Sequence, residues 1–488
     1  MKTLIKNGTL ITASETYQAD ILIEDEKITR ISASSPLSTD LEADSAQVVD
    51  ASGKLILPGG VDPHTHFDLP MFGTVSSDDH YTGHKAAAFG GTTTVMDFVP
   101  LTPPPLPQGK GQGGEGDFKY SVDLWMEKAQ KAAIDYSFHM NLTSFNEKIA
   151  KKIPSLMDMG IQTLKVFTAY TGRLRIDDGS IFKAIRIAKD NGMLVMAHCE
   201  NGDVIDTLIA DALKAGHTSP EWHALTRPGW GAVEATLRVA GMAAEADAPV
   251  YIVHMNVGGE VDMLRYARER GVKVMGETCP QYLFFTIDHL RRTDGAKWIC
   301  SPPVRTAQDN AHLWEGLHDG ILQTIGTDHC PFFFDGTKPI MYEGKEVKIA
   351  GKELGADDFT KIPNGLPGVQ DRMPVLWTYG VRAGKISANQ FVALTSTNPA
   401  KIFGLYPRKG ALVPGADADI VIWDPEKRVK YGVAHSHQRT DYNLYESWEL
   451  VGYPEKVFLR GKLIVDGDEW LGKSGEGKFL KRGEGEVL

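Results

Sequence analysis

The stretch that decides the fold is LILPGGVDPHTHFD, residues 55–68, in which an apolar run leads directly into His64 and His66. On a strand, side chains two residues apart point to the same side, so both imidazoles can reach one metal ion. Neutral imidazole is the commonest metal ligand in proteins, and zinc binds it readily. The bland alternative is a pair of surface histidines, and the pattern alone does not separate the two interpretations.

Seven further apolar runs follow this one, and helical patterns separate most of them. We predict strands over 92–97, 136–141, 163–170, 193–198, 250–254, 273–277 and 323–328. Eight strands with intervening helices are typical of a parallel (β/α)8 TIM barrel, an α/β fold. Barrel enzymes carry their chemistry at the C-terminal strand ends, and the polar residues of this sequence fall at those ends.

Short β-type runs separated by turns flank the predicted barrel on both sides. We expect residues 1–57 and 406–471 to build one small β-sandwich domain beside a barrel of residues 58–405. Within the first part, Asn7-Gly8 predicts a hairpin turn. The Gly-rich and charged residues 472–488 predict an exposed C-terminal arm, at which subunits could meet.

Two segments break the alternation of strands and helices. Residues 101–117 are rich in Pro and Gly and predict a loop after the second strand, and residues 333–357 form a long excursion after the eighth. Loops on this face could act as lids, or they could be disordered insertions.

The composition is typical of a globular enzyme, with 488 residues, 42% hydrophobic and 24% charged. The formal net charge of -11 argues against nucleic acid as a partner, because phosphate binding requires a basic surface. The sequence has no apolar run long enough for a membrane span, and its N-terminus lacks the apolar stretch of a signal peptide. The four cysteines lie beside strand ends rather than in a disulfide framework, so we expect a cytoplasmic protein.

Ionisable residues cluster at the predicted strand ends: His64, His66, Lys165, His198, His254 and Asp328. Four histidines and one aspartate supply enough ligands for two divalent ions. Either His198 or His254 alone would normally be a histidine at the edge of the core. Five such residues at the same barrel end are hard to explain as packing, so we predict a metal site.

Lys165 lies inside an apolar strand, where an unpaired ammonium would be strongly disfavoured. It could pair with a carboxylate, or its lowered pKa could give a free amine that captures carbon dioxide as a carbamate. A carbamate is anionic and has two oxygens, so it can bridge two cations. Beside two metal ions, the carbamate is the interpretation we favour.

Five segments lie at the predicted strand ends: VDPHTH at 61–66, LKVFTAY at 164–170, AHCEN at 197–201, GETCPQY at 276–282 and GTDHCP at 326–331. In this order they resemble the amidohydrolase superfamily and, within it, the dihydropyrimidinase/D-hydantoinase family. The resemblance extends over nearly the whole chain. It includes SPPVR at 301–305 and IPNGLPG at 362–368.

The resemblance implies two divalent ions, usually zinc, bridged by carboxylated Lys165 and a hydroxide. One ion would be held by His64, His66, Lys165 and Asp328, and the other by Lys165, His198 and His254. The resemblance also implies that Tyr170, Ser301 and Asn364 bind the substrate. Because the family forms tetramers, it implies a homotetramer.

The implied activity is hydrolytic ring opening of cyclic amides. Substrates would be 5,6-dihydropyrimidines, as in pyrimidine degradation, or 5-substituted hydantoins, and products would be N-carbamoyl-β-amino acids or N-carbamoyl amino acids. Asp328 would act as general base and then acid, and Tyr170 would stabilise the oxyanion. We expect the loop 69–73, Phe167 and Leu174 to face the ring substituent, although Met71 and Phe72 could simply pack within their loop.

Other functions compete with this one. Allantoinase or dihydroorotase would use the same metals, but we find no convincing arginine for dihydroorotate's carboxylate beyond Arg173, Arg175 and Arg305. A phosphotriesterase-like hydrolase would not be expected to carry the segments around Ser301 and Asn364. The non-catalytic dihydropyrimidinase-related cytoskeletal proteins share the fold but have lost ligands, whereas this sequence retains all the predicted ligand positions.

Overall fold

This computed structural model describes residues 2–33, 47–101 and 117–488. Eight parallel strands form one sheet in chain order: Gly60–Thr65, Thr92–Val99, Asp135–Asn141, Thr163–Phe167, Leu194–His198, Val250–Ile252, Val274–Thr278 and Thr324–Ile325. The first and last strands meet where Thr65 forms an isolated parallel bridge with His329. The amide of His66 donates a hydrogen bond to the carbonyl of His329 at 2.7 Å. These contacts close the sheet and confirm the predicted (β/α)8 barrel.

Helices follow most strands and cover the barrel. One example is Asp178–Asp190, in which Asp177 caps the N-terminus by accepting from the amide of Ser180 and a stripe including Ile181 and Ile185 is buried. The α-helices of the described residues are Thr82–Phe89, Phe118–Lys128, Glu147–Lys152, Ser155–Asp158, Asp178–Asp190, Gly202–Lys214, Glu221–Leu225, Gly229–Ala246, Gly258–Arg268, Pro280–Phe284, Ile287–Leu290, Ala307–His318, Arg372–Leu376, Ala388–Val392 and Asn398–Ile402. Among the described residues, no helix has both the length and the apolar character that crossing a membrane requires.

The flanking strands from both ends of the chain join in one nine-stranded sheet. Its members are Lys2–Ile11, Thr16–Glu24, Lys27–Ser32, Gln47–Asp50, Leu55–Pro58, Ile420–Lys430, Glu449–Leu459, Lys462–Asp466 and Glu469–Trp470. The N- and C-terminal parts meet where Leu55–Pro58 pairs antiparallel with Ile420–Lys430. The nine-stranded sheet has an apolar core of its own, which includes Ile5, Ile56 and Phe458. The strand Leu55–Pro58 leads directly into the first barrel strand, so this sheet anchors the segment that carries the histidine pair.

The Asn7-Gly8 pair does not form the predicted hairpin turn. It lies inside the strand Lys2–Ile11, where the register with the next strand shifts and Asn7 has a φ of 65°. Asp20 accepts a hydrogen bond from the Asn7 amide, and Asp50 accepts one from the Asn7 side chain, each at 2.9 Å. The prediction was wrong because these distant carboxylates stabilise a bulge within the strand.

Part of the C-terminal segment 472–488 packs against the barrel, although many of its residues are exposed. The amide of Tyr136, in the third barrel strand, donates to the carbonyl of Lys478, and the amide of Leu480 donates to the carbonyl of Tyr136. Leu480 is fully buried and Arg482 is 4% exposed. The segment therefore covers the N-terminal end of the barrel, opposite the strand ends that carry the histidines.

The two predicted loops have different outcomes. Nearly all of 101–117 lies outside the described residues, which resume at Asp117. The excursion 333–357 is folded, with a hairpin of Ile340–Tyr342 and Lys345–Val347 followed by a 3-10 helix at Lys352–Gly355. It contacts the loop after the first barrel strand, where Oγ1 of Thr74 donates to the carbonyl of Ala350.

Candidate active site

A cavity of about 430 Å³ opens at the C-terminal ends of the barrel strands. It is lined by every residue to which the sequence assigned a role in metal or substrate binding: His64, His66, Lys165, Tyr170, His198, His254, Ser301, Asp328 and Asn364. These residues are far apart in the chain. The barrel brings them together because its parallel strands all end at this face.

One group at the base of the cavity consists of His64, His66 and Asp328. The Nε2 atoms of both histidines lie 3.1 Å from the same carboxylate oxygen, Oδ1 of Asp328. Ligand atoms from the three side chains all lie within 4.8 Å of one another, so the group could hold one metal ion. His64 and His66 thus point to the same side, as expected from their spacing, and Asp328 reaches them from the end of the eighth strand.

A second group consists of His198 and His254, from the fifth and sixth strands. Nδ1 of His198 lies 3.0 Å from Nε2 of His254, and both side chains are buried. The other ring nitrogen of His198, Nε2, donates to Glu200 at 2.8 Å. This bond leaves Nδ1 of His198 directed at His254, an arrangement in which a cation would satisfy both nitrogens.

Lys165 lies beside both groups and is 2% exposed. Its Nζ is 5.0 Å from the centre of the Phe98 ring and 5.4 Å from that of Phe167. Burial lowers the pKa of Lys165 to about 8, although Asp328 and Glu277 act in the opposite direction. No carboxylate in the described part of the chain forms an ion pair with Nζ.

Two glutamates that the sequence analysis left without a role hold the histidines. Nδ1 of His64 donates to Oε1 of Glu277 at 2.7 Å, in the same way that His198 donates to Glu200. Glu277 also accepts from the hydroxyl of Tyr251 at 2.9 Å. Such partners fix the tautomer and orientation of a ligating histidine. Their signal in the sequence is a carboxylate at a strand end: Glu277 lies in the seventh strand, and Glu200 two residues after His198.

Burial and the nearby charged side chains together set the charge of the two histidine groups. Burial lowers the pKa of His64, but Glu277 and Asp328 outweigh it and raise the pKa above its usual value. At His254, burial dominates and the pKa lies well below the usual value, so this imidazole is neutral. Burial raises the pKa of the Asp328 carboxyl, but His64 and His66 hold it well below its usual range. Neutral imidazoles and ionised carboxylates are the forms that bind metals.

Three residues of the site have left-handed backbone conformations, with φ of 68° at Tyr170, 39° at His254 and 53° at Asp328. Residues other than glycine rarely adopt this region, and each instance costs on the order of 1–3 kcal/mol. The left-handed conformation also explains why the fourth, sixth and eighth strands end two or three residues before their predicted ends. At each of these positions the chain turns, and the side chain faces the cavity.

Part of the cavity wall is polar. Nδ2 of Asn364 donates to Oγ of Ser301 at 3.2 Å, and Tyr170 lines the same cavity. Burial raises the pKa of Tyr170, so the phenol keeps its proton at neutral pH. Nε2 of His223 lies 3.3 Å from Oγ of Ser301. Tyr170, Ser301 and Asn364 therefore offer hydrogen-bonding groups to the same cavity.

The mouth of the cavity is largely apolar. Its wall includes Leu69, Pro70, Met71, Phe72, Phe167 and Leu174. The loop that carries the first four is a short hairpin, in which Pro70–Met71 pairs with Thr74–Val75. Met71 and Phe72 thus line the cavity, in keeping with the predicted pocket for a ring substituent.

The donor set fits divalent metal ions. Imidazole nitrogen and carboxylate oxygen are the ligands that zinc accepts in catalytic sites. The residues present four imidazoles and one carboxylate, and His64 and His198 each carry the carboxylate partner that ligating histidines usually have.

Comparisons with known proteins agree with this geometry. Residues 55–464 match the amidohydrolase family. The D-hydantoinase of Geobacillus stearothermophilus is 42% identical over 486 residues, which cover 99% of this chain and 97% of that protein. The D-phenylhydantoinase of Escherichia coli O81 (strain ED1a) is 36% identical over 486 residues, 99% of this chain and 98% of that protein.

The same relationship holds for solved structures. The crystal structure of dihydropyrimidinase from Brevibacillus agri NCHU1002 superposes with a TM-score of 0.91 at 45% identity, and the alignment covers 100% of both chains. Because the matches span essentially the full length of each protein, they include both the barrel and the sheet built from the two ends of the chain. The chain belongs to the amidohydrolase family and, within it, to the group of hydantoinases and dihydropyrimidinases.

Proposed function

We propose that this protein is a metal-dependent hydrolase that opens cyclic amides, converting 5-substituted hydantoins and 5,6-dihydropyrimidines to their N-carbamoyl products. One observation carries the proposal. Histidines and an aspartate from separate strand ends converge at the base of a cavity whose wall also holds the hydrogen-bonding groups of Tyr170, Ser301 and Asn364.

Two divalent ions, zinc above all, would be held by His64, His66, Lys165, His198, His254 and Asp328, with Lys165 carboxylated. Bound there, the ions would supply a hydroxide nucleophile at neutral pH and polarise the scissile carbonyl. The buried amine of Lys165, without an ion-pair partner in the described residues, supports the carbamate.

Asp328 is the proton carrier in this mechanism. Its carboxylate lies at the base of the cavity, where it accepts the proton of the attacking water and delivers it to the leaving ring nitrogen. Tyr170 keeps its phenolic proton and donates a hydrogen bond to the oxygen on which negative charge develops. The left-handed conformations of Tyr170 and Asp328 support these roles, because they turn both side chains into the cavity.

Ser301 and Asn364 orient the ring. Their hydroxyl and amide groups offer donors and acceptors to the imide edge of the substrate, which sets the carbonyl that faces the nucleophile. The apolar residues Met71, Phe72 and Leu174 leave room at the mouth for a neutral or hydrophobic substituent on the ring. We infer a homotetramer from the resemblance to the family, and a cytoplasmic protein from cysteines that form no disulfide framework.

The experiment measures hydrolysis of 5,6-dihydrouracil and of a 5-phenylhydantoin by metal-loaded protein. The loss of substrate is monitored by ultraviolet absorbance. We expect turnover that disappears on chelation and returns when a divalent ion is added. His66→Asn should remove it, whereas His217→Asn, at an exposed histidine, should not. Metal-loaded protein that opens neither substrate would contradict the proposal.

A further inference from the structure

Lys352 is a buried cation outside the metal site. It is 1% exposed and belongs to the excursion 333–357, in the 3-10 helix Lys352–Gly355. Its Nζ donates to the carbonyl of Ile299 at 3.0 Å and to the carbonyl of Pro363 at 3.1 Å. Within the described ranges of the chain, no carboxylate forms an ion pair with it. Burial lowers the pKa of Lys352 to about 7, which reflects how unfavourable this environment is for an ammonium.

The two carbonyls belong to the segments that carry the polar wall of the cavity. Ile299 lies two residues before Ser301, and Pro363 directly precedes Asn364. The segments also contact each other directly, since the amide of Gly365 donates to the carbonyl of Ile299 at 3.0 Å. The lysine therefore binds the backbone of both segments, two residues before Ser301 and one residue before Asn364.

The backbone of Lys352 is itself held in place. Its amide donates to the carbonyl of Phe333 at 2.7 Å. A Cβ at the preceding Gly351 would lie 2.0 Å from that carbonyl oxygen, so only glycine allows this close approach. The carboxylate of Glu353 accepts from the amides of Gly336, at 2.8 Å, and Gly351. The excursion is thus anchored on both sides of Lys352.

We propose that Lys352 is a positioning residue that holds the backbone of Ser301 and Asn364 in the arrangement that binds the cyclic amide. This inference rests on the proposed function for the role of those two residues. A lysine suits the task because its Nζ donates to both carbonyls at once. The double contact gives hydrogen-bond partners to a nitrogen that is buried without a carboxylate.

The test compares Lys352→Met, which keeps an unbranched side chain of nearly the same length but removes the donors, with Lys352→Gln, which keeps an N–H donor group on a shorter side chain. Lys297→Met is the matched control, because Lys297 lies nearby but contacts Asp294 and the Phe334 ring instead. Each variant is loaded with metal, and kcat, KM and metal content are measured with 5,6-dihydrouracil.

We expect Lys352→Met to raise KM about tenfold with kcat within about twofold of wild type and metal content unchanged, since ground-state and transition-state binding are lost together. Lys352→Gln should lie between this variant and wild type, and Lys297→Met should match wild type. A fall in kcat at unchanged KM would indicate a smaller active fraction and a merely structural lysine. An unchanged KM in folded, metal-loaded Lys352→Met would overturn the proposal; if that variant does not fold, the same criterion applies to Lys352→Gln.

Hydrogen–deuterium exchange separates this proposal from the proposed function. Lys352→Met should accelerate exchange in residues 299–301 and 363–365 relative to wild type and to Lys297→Met, whether or not the protein opens a cyclic amide. Unchanged exchange in both segments would show that Lys352 does not hold them. Absent turnover in wild type would instead contradict the proposed function alone.

Discussion

Nδ1 of His64 donates a hydrogen bond of 2.7 Å to Oε1 of Glu277, and both side chains are buried. The two residues come from the first and seventh barrel strands, 213 positions apart in the chain. The bond directs the other nitrogen, Nε2, at Asp328. A side chain that contributes no ligand atom of its own thus determines which nitrogen of His64 faces the metal-binding group.

Glu277→Gln should weaken metal binding. The amide cannot accept the imidazole proton as a carboxylate does, and loss of such a partner typically lowers metal affinity about 10- to 100-fold. Zinc affinity of the protein, measured by competition with a chelator, is the test. Glu260→Gln is the control, because Glu260 is equally buried but binds the amides of Asn256 and Val257. Equal affinities of the Glu277 variant and wild type would show that Glu277 has no such role.

Lys165→Ala should reduce the metal content well below two ions per chain and abolish turnover. The alanine cannot form a carbamate, and a bridging anion between two cations would be missing. Addition of acetate or propionate should restore part of the activity, because a short carboxylate can occupy the vacated space. Full metal content in Lys165→Ala, measured on protein with an unchanged circular dichroism spectrum, would contradict the bridging role.

Much of the site could be predicted because it depends on local periodicity and on one rule of topology. The spacing of His64 and His66 places both on one side of a strand, and parallel strands bring His198, His254 and Asp328 to the same barrel end. Neither inference requires distances between side chains. The order of apolar runs along the sequence was sufficient.

The rest depends on contacts that sequence patterns do not encode. The pairing of Glu277 with His64 follows from the geometry of neighbouring strands, and the position of Lys352 follows from a segment without periodicity. The left-handed conformation of Tyr170 ended its strand early, at Phe167. The bulge at Asn7 is held by carboxylates that are distant in sequence, so a local turn signal was misleading.

Asp328→Asn should lower kcat by about 10²- to 10⁴-fold, the range expected when a general acid–base group is removed. The amide can neither accept the proton of the attacking water nor donate it to the ring nitrogen. Turnover is compared at equal metal content, which separates proton transfer from a loss of ligand. Asp319→Asn, at a surface ion pair with Arg265, should have wild-type kcat. A near-wild-type rate in fully loaded Asp328→Asn would remove Asp328 from the mechanism.

Acid should destabilise the protein through buried neutral histidines, of which His84 is a defined case. Its ring lies 5.1 Å from the Phe67 ring, and burial lowers the pKa of His84 to about 3. The unfolded chain binds this proton near pH 6.5, so between pH 6.5 and 3 the unfolded state carries one more proton at this site. Stability therefore falls as the pH falls through this window, by about 1.4 kcal/mol per pH unit when the difference is complete.

His84→Gln removes this titration, so the Tm of the variant should decrease less steeply than that of wild type between pH 6.5 and 4.5. The measurement uses metal-free protein, because metal release also depends on pH. The exposed His217 provides the control, and His217→Gln should keep the wild-type slope. The absolute Tm of His84→Gln is not the criterion, since the substitution also changes packing against Phe67. Parallel Tm profiles for wild type and His84→Gln would mean that His84 takes up no extra proton on unfolding.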